Sequence, residues 1–187
     1  RVIGGTDLIN VNNTSADYLQ VGALGVDMMS AQRNLTVANL RLGADQSWDI
    51  GSGRTLSVGS LSGDHAFTKT GPGTVVLTGS GTSTGGATLA AGTLQVGNNT
   101  ALGTGTLTLS GGTLSSNSTS SRALANDVTI GGSVTLGHGT NRGTLTFSGN
   151  VGLGGATRQI TTASNAILSG IISDGGLTKA GGGVYGT

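Results

Sequence analysis

Four short stretches decide the fold: Gly53-Arg54-Thr55-Leu56-Ser57-Val58, Gly73-Thr74-Val75-Val76-Leu77, Ala91-Gly92-Thr93-Leu94-Gln95-Val96 and Gly111-Gly112-Thr113-Leu114. Threonine falls at positions 55, 74, 93 and 113, so the pattern returns at a nearly constant step of 19, 19 and 20. A looser continuation, Gly132-Ser133-Val134-Thr135-Leu136, puts Ser133 one more such step beyond Thr113. Self-similarity at a fixed period of this size marks a repeat architecture, in which each unit buries its apolar face against its neighbours. Between these marks lies a second unit: Gly105-Thr106-Leu107-Thr108-Leu109-Ser110-Gly111 matches Gly143-Thr144-Leu145-Thr146-Phe147-Ser148-Gly149. Apolar residues alternate with hydroxylated ones there, the period-2 pattern of a half-buried strand.

Gly and Asn punctuate the strands at Gly79, Gly85-Gly86, Gly97-Asn98-Asn99, Gly131-Gly132, Gly154-Gly155 and Gly175-Gly176, where turns are easily made. Short strands, frequent turns and a short fixed period predict a parallel β-solenoid over residues 1–187 as a single unit. Residues 1–34 carry no mark of the repeat. One coil per repeat gives roughly nine coils and a rod about 40 Å long. Inward Leu, Val and Ile then form continuous ladders, and Thr and Ser cover the outside. A β-sandwich or antiparallel barrel also has many short strands, but neither requires one pattern to return at a fixed step.

Composition agrees. Of 187 residues, 37 are Gly, one is Pro, none is Cys and none is Glu, and Lys occurs only at Lys69 and Lys179. Gly, Ser and Thr disfavour helix interiors, which excludes a mainly helical protein. Disorder is excluded as well: hydrophobic residues make up 35% and charged residues 9%, enough apolar surface for a core. Net charge is +1 with no basic stripe, so nucleic acid is not an expected partner. No apolar run is long enough to span a bilayer as a helix, so no membrane insertion of this segment is expected. Without Cys there is no disulfide, thiolate catalyst or Cys-based metal site.

The stretch Phe67-Thr68-Lys69-Thr70-Gly71-Pro72-Gly73-Thr74-Val75-Val76-Leu77-Thr78-Gly79 resembles the start of the passenger-associated transport repeat, also called the autotransporter-associated β-strand repeat. Its usual form runs apolar-x-Lys-x-Gly-x-Gly-Thr-apolar-x-Leu-x-Gly. The resemblance continues through Thr84-Gly85-Gly86-Ala87-Thr88-Leu89 into Ala91-Gly92-Thr93-Leu94-Gln95-Val96-Gly97-Asn98. A second copy begins at Gly176-Leu177-Thr178-Lys179-Ala180-Gly181-Gly182-Gly183, with Lys179 in the place of Lys69. Two positions depart from the pattern: Ser83 stands where an aromatic residue is usual, and Ala87 where Thr is common. The resemblance implies a right-handed parallel β-helix with about 20 residues in each coil. It also implies an origin in the secreted passenger of a Gram-negative type V autotransporter. On that reading the chain is a fragment of a longer passenger.

Candidate chemistry is sparse. Gly81-Thr82-Ser83-Thr84-Gly85 fits G-x-S-x-G, but a nucleophile elbow needs a strand before and a helix after. The next residues, Gly86-Ala87-Thr88-Leu89, read as turn and strand. His65 and His138 are the only histidines, and both read as solvated loop residues. The carboxylates are Asp7, Asp17, Asp27, Asp45, Asp49, Asp64, Asp127 and Asp174, and they read as turn residues. Asp45 and Asp49 flank Trp48, whose ring is a speculative glycan contact; packing at the solenoid surface or edge is the plainer reading. Lys69 and Lys179 occupy matching repeat positions and read as surface lysines beside a turn, satisfying carbonyls or limiting edge pairing.

The expected function is therefore non-catalytic. It is a structural stem or display scaffold, extracellular or on the bacterial surface, contributing to adhesion and needing no cofactor or metal. Its working residues are structural: Thr55, Thr74, Thr93, Thr113, Lys69, Gly71, Gly73, Gly92, Leu94 and Lys179. Two alternatives differ in class. An uncapped solenoid exposes open strand edges, so copies associating end to end form a filament. A glycan or host-surface ligand around Trp48 makes the chain an adhesin or a carbohydrate-active β-helix.

Overall fold

Glycine corners and alternating apolar residues close the chain into a parallel β-solenoid of about eight turns, each of roughly 21 residues. A computed structural model describes residues 9–11, 17–183 and 185–186. Every strand pair among them is parallel, which rules out the sandwich and the antiparallel barrel.

Each coil visits up to three walls. The first is built from Ile9–Val11, the leading part of Leu35–Leu42 and of Thr55–Gly63, then Thr74–Leu77, Thr93–Val96, Thr113–Ser116, Val134–Leu136 and the trailing part of Val151–Thr162. The third runs through Val26–Met28, Gln46–Ile50, Phe67–Thr70, Ala87–Leu89, Leu107–Leu109, Val128–Ile130 and the start of Val151–Thr162. Between them lies an interrupted second wall. It comprises Leu19–Val21 with the later halves of Leu35–Leu42 and Thr55–Gly63, and then a separate sheet of Arg122–Leu124, Leu145–Phe147, Ala166–Leu168 and Tyr185–Gly186.

The threonine marks stack as expected. Thr55 pairs with Thr74, Thr74 with Thr93 and Thr93 with Thr113. One residue on, Leu35, Leu56, Val75, Leu94, Leu114 and Leu136 form an inward column, none of them more than 5% exposed. Burying each such side chain contributes about 1.5–3 kcal/mol, and stacking like on like lets every coil fill the space left by the last.

The continuation is shifted by two from the expected register. Thr113 pairs with Thr135, not with Ser133, and Thr135 pairs with Thr161. The hydroxyl column thus runs through Thr55, Thr74, Thr93, Thr113, Thr135 and Thr161, with a step that lengthens over the last two coils. A slip of two keeps inward residues inward, because strand side chains alternate with period 2. In the longest coil the strand Val151–Thr162 carries an irregular register between Gly152 and Ala156, spanned by Gly154 and Gly155 at φ 62° and 71°. The described residues make about eight of these turns.

Asn and Asp side chains brace one coil to the next. Asn34, Asp45, Asn99, Asp127 and Asn150 each accept a backbone N–H, from Thr55, Ala66, Ala123, Asn150 and Ile171 respectively. In every case the donor lies one coil beyond the acceptor. Asp45 and Asp127 thus bind the coil that follows, whereas Asp49, expected at a turn, lies within the strand Gln46–Ile50.

Candidate functional site

The repeat motif folds into a corner between the third and first walls, with a lysine at its centre. In Phe67–Thr70 burial alternates, so Phe67 and Lys69 point inward while Thr68 and Thr70 face out. Lys69 stands in the inward column between Trp48 and Leu89 and is fully buried. Its Nζ donates to the carbonyl oxygens of Thr70 (2.5 Å), Gly71 (2.8 Å) and Ala91 (3.2 Å). The first two close the corner of its own coil; the third ties that corner to the next coil. Three donors meeting three carbonyls is how a buried ammonium avoids the cost of unmet hydrogen bonds.

Burial pushes the Lys69 pKa down from 10.5 to about 8, and the Asp49 carboxylate opposes part of that shift. A partly neutral amine is a nucleophile in principle. Here it is buried, and its Nζ is engaged with three backbone carbonyls.

The glycines of the motif make room for the clasp. Gly71 and Gly92 sit at φ 70° and 71°, a left-handed region that costs other residues about 1–2 kcal/mol. A Cβ on Gly92 would lie 2.4 Å from the Gly71 oxygen and 2.7 Å from Lys69 Nζ. One on Gly71 would meet Asp49 Oδ1 at 2.5 Å. Gly73 donates its N–H to Ile50 at 2.8 Å and accepts from Thr93 at 3.1 Å, so it links three coils. The spacing Lys-x-Gly-x-Gly, with Ala-Gly one coil later, is thus the spacing of one three-dimensional corner.

Beneath the clasp lies an aromatic pair. Trp48 and Phe67 stack with centroids 4.1 Å apart and planes 17° from parallel. The indole N–H donates to Gln46 Oε1 at 3.0 Å, and Gln46 is anchored in turn to the carbonyls of Val21 and Ala44. Trp48 is fully buried. It presents no ring face to a sugar and does not pack at the surface or edge, so both readings of it from sequence are corrected.

Lys69 is likewise corrected from surface to core, although its role with carbonyls is as expected. Period 2 carries the missed signal: Trp48 is two residues from inward Ile50, and Lys69 two from inward Phe67. Lys179 repeats the local bond, donating to Gly181 at 2.7 Å, but it pairs with Ile160 on the first wall and is exposed. The two lysines match in motif, not in wall. Leu94 is fully buried in the main ladder.

Ser83 is 1% exposed, its hydroxyl meets no described partner, and no helix follows it. The G-x-S-x-G match is therefore no nucleophile elbow, and it is not the expected turn either: Thr82 and Thr84 donate to Leu61 and Gly63 of the coil before, and Ser83 accepts from Thr104 of the coil after. His65 lies between Asp45 and Asp64, at 3.5 and 3.6 Å, on a solvated corner. No group of three metal-ligating side chains occurs among the described residues.

Residues 67–96 match the family model described as Passenger-associated-transport-repeat. No curated protein and no solved structure matches the chain. The matched segment opens on Phe67, holds the whole lysine corner and closes on Val96 in the first wall. With the β-solenoid around it, the segment is consistent with a repeat of the autotransporter-passenger kind.

Proposed function

We propose that the chain is a non-catalytic stem from a secreted or surface-exposed bacterial autotransporter passenger, holding other parts of that protein away from the cell. The observation that carries this reading is the unbroken inward column from Leu35 to Leu136, coincident with the passenger-repeat match at 67–96. Such a column resists bending because each coil is hydrogen-bonded to the next along its strands. The outer walls are covered by short hydroxylated side chains and few charges. On this reading any adhesive contact is made by the walls, since Trp48 is sealed inside.

The same reading makes folding part of export. A coil that forms outside the membrane cannot slide back, so successive coils draw the chain outward. The experiment is surface display of a passenger carrying this segment with Leu94→Asp or Leu114→Asp. Both leucines are fully buried, and a carboxylate there costs several kcal/mol. Display should fall to background, while Thr93→Ser leaves it unchanged. Normal display of the aspartate variants would refute the proposal.

A further inference from the structure

We infer that a groove on the outer face of the second wall, over the first coils of the described solenoid, binds a neutral saccharide. The groove has a volume of about 390 Å³, and its lining includes Tyr18, Arg41, Ser62, Asp64, Thr82 and Thr84. Ligand sites commonly fall between about 300 and 1,000 Å³.

Register brings these side chains onto one face. Arg41 pairs with Gln20 in the coil before and with Ser62 in the coil after. Leu40, Leu42 and Leu61 beside them are buried, so strand alternation turns Arg41 and Ser62 outward together. The following coil joins the same wall, where Gly81 pairs with Leu61. There the Thr82 N–H donates to Leu61 at 2.8 Å and the Thr84 N–H to Gly63 at 3.0 Å, and both threonines are exposed. Two coil spacings make the row from Arg41 through Ser62 to Thr82 about 10 Å long, the length of a disaccharide.

Both charged groups of the lining have neighbours that place them. Arg41 Nη1 donates to the Tyr18 hydroxyl at 3.0 Å, and the guanidinium lies 5.2 Å from the centre of the Tyr18 ring. That contact uses one of the guanidinium's several N–H donors. Asp64 Oδ1 lies 3.6 Å from His65 Nε2, and His65 Nδ1 lies 3.5 Å from Asp45 Oδ1. One guanidinium and one carboxylate leave the lining without net charge, which favours hydroxyl groups over an anion. The guanidinium donates to a hydroxyl oxygen, and the carboxylate accepts a hydroxyl hydrogen. Tyr18 is 47% exposed, so ring surface beside Arg41 is open to the C–H face of a sugar. The Ser62 hydroxyl donates to the Leu40 carbonyl at 3.4 Å and keeps its lone pairs for a ligand. An aromatic ring with a few placed polar groups is the general make-up of a small-molecule site. The inference stands apart from the stem proposal, since it is read from binding by the isolated chain and not from display.

The test is a glycan array of neutral, sialylated and uronic-acid oligosaccharides probed with the 187-residue chain, followed by calorimetric titration of the neutral glycan that gives the strongest signal. Saturable binding of at least one neutral oligosaccharide is the expected result. Asp64→Asn and Arg41→Met should each weaken it about tenfold or more, the scale of one lost charge-assisted contact. Tyr18→Ala should weaken it as well. Asp64 is a largely exposed side chain, so Asp64→Asn should lose affinity at an unchanged melting temperature, which separates loss of the site from loss of the fold. Arg142→Gln, an exposed arginine on a distant coil, should keep wild-type affinity. No binding on the array, binding of acidic glycans alone, or wild-type affinity in both Asp64→Asn and Arg41→Met overturns the inference.

Discussion

The Lys69 ammonium and the Gly92 α-carbon fit against each other across adjacent coils: the nitrogen lies 2.7 Å from where a Cβ on Gly92 would stand. One residue requires the other, although a whole coil separates them in sequence. This pairing accounts for a lysine and a glycine recurring in one motif, and it leads to the first test. Gly92→Ala adds left-handed strain of about 1–2 kcal/mol to close contacts with the Gly71 and Gly73 oxygens at 2.4 and 2.5 Å. The loss of stability in urea unfolding should reach about 3 kcal/mol or more. Adding Lys69→Met should recover part of it, and strictly additive losses contradict the pairing.

Lys69 also sets a pH dependence. Its folded pKa of about 8 lies below the ordinary 10.5. Between those values the unfolded chain holds a proton that the folded chain has released, so stability rises with pH across that window. Below about pH 8 both states are protonated and the contribution is flat. The rise should be about 1–3 kcal/mol, since one pKa unit corresponds to about 1.4 kcal/mol. It is read as the difference between wild type and Lys69→Met, which removes the contributions of other groups. Parallel stability curves for the two proteins from pH 8 to 10.5 would show that the amine titrates normally.

Trp48 is the sole tryptophan, so its fluorescence reports one site. Full burial against Phe67 predicts blue-shifted emission and little quenching by acrylamide in the folded protein. Trp48→Ala should cost about 3–5 kcal/mol through the void it leaves. Emission and quenching like those of free tryptophan contradict the buried placement.

The register of the lengthened coil is testable because the chain has no cysteine. Thr113 and Thr135 are direct partners, and neighbouring parallel strands lie about 4.8 Å apart, within disulfide reach. Cysteines at these two positions should crosslink on mild oxidation. Cysteines at Thr113 and Ser133, the register a constant step suggests, should not. Efficient closure of the second pair alone would shift the strand by two positions.

The repeat could be read from sequence because Thr55, Thr74, Thr93 and Thr113 occupy one place in each coil, and a fixed winding writes itself as a fixed step. It faded after Thr113 because later coils lengthen: Gly154 and Gly155 add length at a corner, where it is tolerated. The corner chemistry was harder to see. Lysine is so rarely buried that its identity outweighed its position, although alternation with Phe67 placed it inside. Trp48 was misplaced for the same kind of reason, an interfacial side chain read by type instead of by phase with Ile50.

The measurement that bears most directly on the whole account is a ladder of spin-label distances on the first wall. Nitroxides are placed at Thr55 and, in turn, at Thr74, Thr93, Thr113, Thr135 and Thr161. If the backbone winds once between successive threonines, each added coil lengthens the separation by about 5 Å, and Thr55 to Thr161 is the longest distance of the set. A separation between Thr55 and Thr161 no greater than that between Thr55 and Thr93 contradicts the solenoid, and with it the stem.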